Sequence, residues 1–208
     1  MNEKRVFIDS VSGIRLEALL AENSGENAVL IAHPHPLYGG DMHNNVVEAV
    51  TTAYQDMGYT TVRFNFRGVG RSGGSFNNGI GEREDVKAVF RYLLNMGKEK
   101  IAVAGYSFGA WVAASCVKDL AHVDHLIFIS PPVAMVDFSF LEDEAKIMLI
   151  ITGSHDYIAP SNMLEVMLSQ WNVEAKLKVI KGADHFYWGK TDQIKDIIKE
   201  FLKGHHEI

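Results

Sequence analysis

A chain of 208 residues, 47% hydrophobic and 22% charged, has ordinary globular composition and is long enough to bury a core as one domain, residues 1–208. Its net charge of −6, with no basic cluster, argues against nucleic acid as a partner. A lone cysteine, Cys116, excludes a disulfide framework, and its apolar neighbours mark it as a core residue. The charged start MNEKRVFIDS is followed by no apolar stretch of signal-peptide type, and no apolar run reaches transmembrane length. No membrane partner is expected, and the expected compartment is the cytoplasm.

In chain order, residues 5–8 and 15–21 read as strands joined by a turn at Ser12-Gly13, an antiparallel hairpin on a sheet edge. The run AVLIA at 28–32 is continuously apolar, as a parallel strand buried on both faces must be. The loop HPHPLYGGDMHNN follows over 33–45, then a helical pattern over 46–57 stopped by Gly58. TTVRFN at 60–65 is the next strand and leads into FRGVGRSGGSF at 66–76. Val86, Val89, Phe90, Leu93 and Leu94 recur at helical spacing within 82–96, and Gly97 closes that helix. Further strands are expected at 101–104, 125–129, 146–152 and 175–180. Helices are expected at 161–171, with Ser161 as N-cap, and at 191–203; 133–144 reads as a short irregular segment. Strands alternating with helices imply an α/β fold: a mostly parallel sheet with helices on both faces, ligands binding beyond the carboxyl ends of the strands.

The stretch IAVAGYSFGAWVA at 101–113 carries the strongest chemical signal. A buried strand runs into Gly105-Tyr106-Ser107-Phe108-Gly109 and then at once into a helix. Such a turn is tight enough to strain the serine backbone, and the two glycines remove side chains where strand and helix cross. Ser107 is thereby placed at a helix N-terminus, where backbone N–H groups favour developing negative charge.

With this elbow, the order Ser then Asp then His, and the settings GSHDYIAP at 153–160 and GADHF at 182–186, the chain resembles the α/β-hydrolase family along nearly its whole length. HPHPLYGGDMHN followed by RFNFRGVGRSGG is similar to a compact bacterial group within it, more distantly to dienelactone hydrolases and small serine esterases. The resemblance implies an eight-stranded, mostly parallel sheet with an antiparallel N-terminal edge hairpin and, since 131–146 is short, no large lid. It also implies Ser107 as nucleophile, His185 as base and Asp156 as the acid that orients it. Asp137, Asp184 and His155 are the neighbouring competitors. One oxyanion-hole N–H is expected from Phe108. The second comes from His35, Leu37 or Tyr38, because Pro34 and Pro36 cannot donate. The likeness of Leu37-Tyr38-Gly39-Gly40 to the dienelactone hydrolase loop favours Leu37, with His35 second.

His33, His35, His43 and His185 invite a metal reading, but no carboxylate-rich ligand set accompanies them, so no metal is expected. The glycine-rich loop at 66–76 has neither a Gly-Lys-Ser/Thr ending nor dinucleotide spacing, so no cofactor is expected; Arg67 is expected to tie loops together through Glu82, Glu84 or Asp85. The expected activity is a carboxylesterase acting on a small or medium ester-like substrate through an acyl-enzyme, the protein being a monomer or homodimer. A thioesterase, lactone hydrolase or peptidase would use the same triad, and a non-catalytic binding protein on this fold is the reading from another class.

Overall fold

The structure is a computed structural model that describes residues 2–142 and 144–205. Among the described residues the strands are β1 (Lys4–Asp9), β2 (Arg15–Ala21), β3 (Asn27–Ala32), β4 (Thr60–Phe64), β5 (Lys100–Tyr106), β6 (Val123–Ile129), β7 (Ile147–Gly153) and β8 (Lys176–Ile180). They form one sheet in the order β1-β2-β4-β3-β5-β6-β7-β8. β1 and β2 make the antiparallel edge hairpin, β2 is also antiparallel to β4, and every later pairing is parallel. The helices are α1 (Asn45–Asp56), α2 (Ile80–Asn95), α3 (Phe108–Cys116), α4 (Ser161–Trp171) and α5 (Thr191–His205).

The period of two along a strand explains why the central runs are apolar throughout. Ala28, Leu30, Ala32, Ile101 and Val103 face one core with Val89, Leu93, Ala113 and Leu164 of α2, α3 and α4. The intervening Val29, Ile31, Ala102 and Ala104 face a second core with Val46, Val50, Ile194 and Ile198 of α1 and α5. Each fully buried Leu, Ile or Val contributes about 1.5–3 kcal/mol. The two cores hold the sheet rigid and leave its carboxyl edge to the loops.

Helix α2 starts at Ile80, two residues before the expected 82, because Glu82 acts as a cap: its carboxylate accepts the N–H groups of Asn77 and Gly79, both at 2.8 Å. The segment between β6 and β7 holds only a 3-10 turn, Ser139–Leu141, among its described residues. Phe138 and Leu141 in it are buried, Phe138 against the Trp171 ring at 5.4 Å, so the segment is packed down on α4 and forms no lid.

Where α3 crosses β3 the backbones touch. A Cβ on Gly109 would lie 2.4 Å from Ala32 O and 2.6 Å from His33 O. Gly109→Ala is therefore expected to lower stability by about 2–3 kcal/mol. A urea unfolding curve checks it, and an unmoved midpoint contradicts the crossing geometry.

Candidate active site

The elbow forms as its spacing demands. Ser107 has φ 53° and ψ −119°, a conformation that costs a non-glycine residue about 1–3 kcal/mol. It is clamped from both sides: its N–H donates to Ile129 O at 2.9 Å, and its carbonyl accepts from Ala110 N at 2.9 Å and Trp111 N at 3.2 Å. Gly105 has no room for a side chain, since a Cβ there would meet Ala110 N and Cα at 2.6 Å.

Ser107 Oγ lies 2.9 Å from His185 Nε2, and His185 Nδ1 lies 2.9 and 3.1 Å from the two Asp156 carboxylate oxygens. A carboxylate only accepts, so Nδ1 carries the ring proton and Nε2 presents its lone pair to the serine hydroxyl. Asp156 Oδ1 also accepts from Ile158 N and Ala159 N, both at 2.9 Å, and Oδ2 from Ser130 Oγ at 2.6 Å. Burial alone would raise the Asp156 pKa, but the hydrogen bond and charge of His185, with Ser130 and Ala159, hold it below the ordinary value. The loops bearing Asp156 and His185 are stitched together by Gly182 N to Ser154 Oγ at 2.8 Å and His155 N to Ala183 O at 2.9 Å.

The competing acids are elsewhere engaged. Asp137 is exposed and accepts from Ser139 N and Oγ at 2.9 and 2.8 Å; exposed Asp184 accepts from Phe186 N at 2.9 Å and Tyr187 N at 3.2 Å. His155 is exposed.

The loop after β3 is held by His33, which is fully buried. Its Nδ1 donates to Pro34 O at 2.6 Å and its Nε2 accepts from Phe66 N at 3.0 Å, joining this loop to the one after β4. Desolvation lowers its pKa to about 4, against the pull of the Pro34 carbonyl and Asp41. Leu37 N–H is turned onto His35 Nδ1 at 3.2 Å, whereas the His35 N–H and the Phe108 N–H have no hydrogen-bond partner among the described residues. The His35 ring packs on the Phe108 ring at 4.8 Å, which brings their segments together.

Sequence reasoning left three partners for Arg67, and the structure selects Asp85: Arg67 Nε, Nη2 and backbone N–H all bond its carboxylate at 2.7–3.0 Å. The four histidines weighed as ligands do not form a metal-ligand cluster among the described residues. The group that does gather, Asp124, His125 and His205, sits at the start of β6, where His125 bridges Asp124 at 2.7 Å and Tyr54 OH at 2.8 Å. Among the aromatics of the loops at the carboxyl edge, Phe138 and Tyr187 are buried, while Tyr38, Tyr157, Phe186 and Trp188 stand exposed.

Three supporting residues escaped the sequence reading. Tyr187 OH lies 2.6 Å from Ser130 Oγ; the serine proton goes to Asp156, so the phenol is the donor. Tyr106 OH donates to His185 O at 2.6 Å. Ser130 and Tyr187 both have positive φ, 43° and 55°, a signal invisible in residue type.

Residues 26–147 match the family model described as serine aminopeptidase, S33. An uncharacterised protein of Rickettsia prowazekii (strain Madrid E) is 37% identical over 210 residues, covering 95% of this chain and 88% of that one. Among solved structures, an α/β serine hydrolase homologue from Coxiella burnetii is 35% identical with a TM-score of 0.89, covering 97% of this chain and 98% of that one. A lidless α/β serine hydrolase from Xanthomonas campestris is 29% identical with a TM-score of 0.89, covering 98% and 94%.

The His33 tie generates a pH dependence. The unfolded residue titrates near its ordinary 6.5 and the folded one at about 4, so its contribution is complete above pH 6.5 and is lost as pH falls toward 4. Between pH 6.5 and 5 this amounts to about 2 kcal/mol. Urea midpoints of the wild type should fall by that much more than those of His33→Gln over this interval; parallel curves contradict a buried neutral His33.

Proposed function

The chain belongs to the α/β-hydrolase superfamily, and from that premise we propose that it is a serine carboxylesterase acting on small or medium acyl esters. The hydrogen-bonded line from Ser107 Oγ through His185 to Asp156 is the observation that carries the reading. Ser107 Oγ attacks the ester carbonyl as its proton passes to His185 Nε2. Asp156 holds the ring orientation and stabilises the imidazolium. The carbonyl oxygen becomes an oxyanion received by the N–H groups of Phe108 and His35, with His35 taking the place first given to Leu37. When the intermediate collapses, the C–O bond to the alcohol breaks and His185 returns its proton to the departing oxygen. Water activated by the same imidazole then releases the acid and restores Ser107.

A peptidase acting at amino termini needs a carboxylate to anchor the substrate amine. Asp156 is bonded on both oxygens and Asp184 caps its own turn, which favours the ester reading. The substrate-facing surface is open, because the β6–β7 segment is packed on α4 and Tyr38, Tyr157 and Trp188 are 89%, 87% and 76% exposed. An open surface buries few methylenes, each contributing about 0.8 kcal/mol, or about fourfold in kcat/KM.

Hydrolysis of nitrophenyl esters should therefore climb from acetate to butyrate and flatten by octanoate, with no jump at the solubility limit of palmitate. Ser107→Ala should lower kcat by about three orders of magnitude or more with an unchanged melting curve. A steady climb to palmitate with a jump contradicts the open site, and an alanine variant as active as the wild type contradicts the serine chemistry.

A further inference from the structure

Away from the carboxyl edge, Arg83 Nε is the one buried side-chain nitrogen or oxygen without a hydrogen-bond partner among the described residues. A buried donor left unpaired costs about 1–3 kcal/mol, so it points to a missing partner. Arg83 lines a cleft of about 260 Å³ with Ala114, Ser115, Lys118 and Phe140, where α2 and α3 meet the segment after β6. Its guanidinium carbon lies over the Trp111 ring, 5.6 Å from the centroid. Lys118 Nζ donates once, to Phe140 O at 3.1 Å, and keeps two further N–H groups.

Charge in the cleft is uncompensated. Among the described residues neither Arg83 nor Lys118 has an ion pair and no carboxylate lines the cleft. The acids nearby on α2 and just past α3 are engaged elsewhere: Glu82 caps the start of α2, Asp85 holds Arg67, and Glu84 and Asp119 pair with Lys87 at 2.5 and 3.6 Å. Two cations thus share one small cleft in a chain of net charge −6. Ser115 lies eight residues along α3 from Ser107, about 12 Å by helix rise, so this cleft is a place apart from the nucleophile.

We propose that the cleft binds the phosphoryl group of a small organic ligand, with Arg83 as its fork, Lys118 as a second charge and Phe140 against the ligand's apolar part. A dianion matches two cations, and the guanidinium presents parallel donors at phosphate spacing. A single carboxylate leaves one charge unanswered.

The test is calorimetric titration of the full chain with phenyl phosphate, inorganic phosphate and benzoate in chloride buffer, alongside the ¹⁵N-resolved Arg83 Nε–H signal. Phenyl phosphate should bind saturably and more tightly than either other probe, shifting the Nε–H signal. Arg83→Met should weaken it at least tenfold and Lys118→Met several-fold, with melting temperature and nitrophenyl acetate turnover unchanged in both. Absence of saturable binding at millimolar phenyl phosphate overturns the proposal. So does affinity unmoved in both variants, or benzoate binding as tightly as phenyl phosphate.

Discussion

A carboxylate taken out of water must be surrounded by donors or lose its charge, and at the end of β7 that requirement draws three stretches of chain to one point. Asp156 receives two N–H groups from its own loop, a hydroxyl from Ser130 after β6 and the imidazole of His185 after β8. Tyr187 in turn supports Ser130. Removing any one donor leaves the others to carry a buried charge, and the orientation of His185 toward Ser107 depends on all of them. The sheet supplies the rigidity: β6, β7 and β8 are neighbours, so residues just past their carboxyl ends meet with little freedom left to the backbone.

Strain and support are paired in this arrangement. Ser107, Ser130 and Tyr187 all adopt positive φ, and each sits directly in the line from Ser107 through His185 to Asp156 or beside it. Their local cost is offset by the two cores beneath and by close backbone crossings that only glycine permits, at Gly105 and Gly109. His33 extends the same logic to the neighbouring loops: buried and neutral, it uses one ring nitrogen on its own strand end and the other on the end of β4.

Most of the fold was readable in the sequence because both signals are local. Continuous apolar runs made 28–32 and 101–104 recognisable as strands buried on both faces, and the elbow is written as two glycines around Ser107 with strand and helix on either side. Asp156 and His185 were readable through their settings and order. What was not readable depends on adjacency across strands. Ser130 and Tyr187 are unremarkable in sequence, 57 residues apart, and become partners only because β6 and β8 both flank β7. The hydrogen bond from Leu37 N–H to the side chain of His35, two residues away, is likewise set by loop geometry that residue type does not record. Glu82, Glu84 and Asp85 were equivalent partners for Arg67 by spacing; Glu82 is used as a cap at the start of α2, which leaves Asp85 to the guanidinium.

The central claim is that the clamped backbone at Ser107 and the base at His185 make this one hydroxyl nucleophilic. Peptide mapping by mass spectrometry after reaction with a fluorophosphonate tests it most directly. The account predicts one adduct per chain, on Ser107, formed much more slowly in His185→Ala than in the wild type. An adduct on another residue, or labelling of Ser107 at an equal rate without His185, would contradict it.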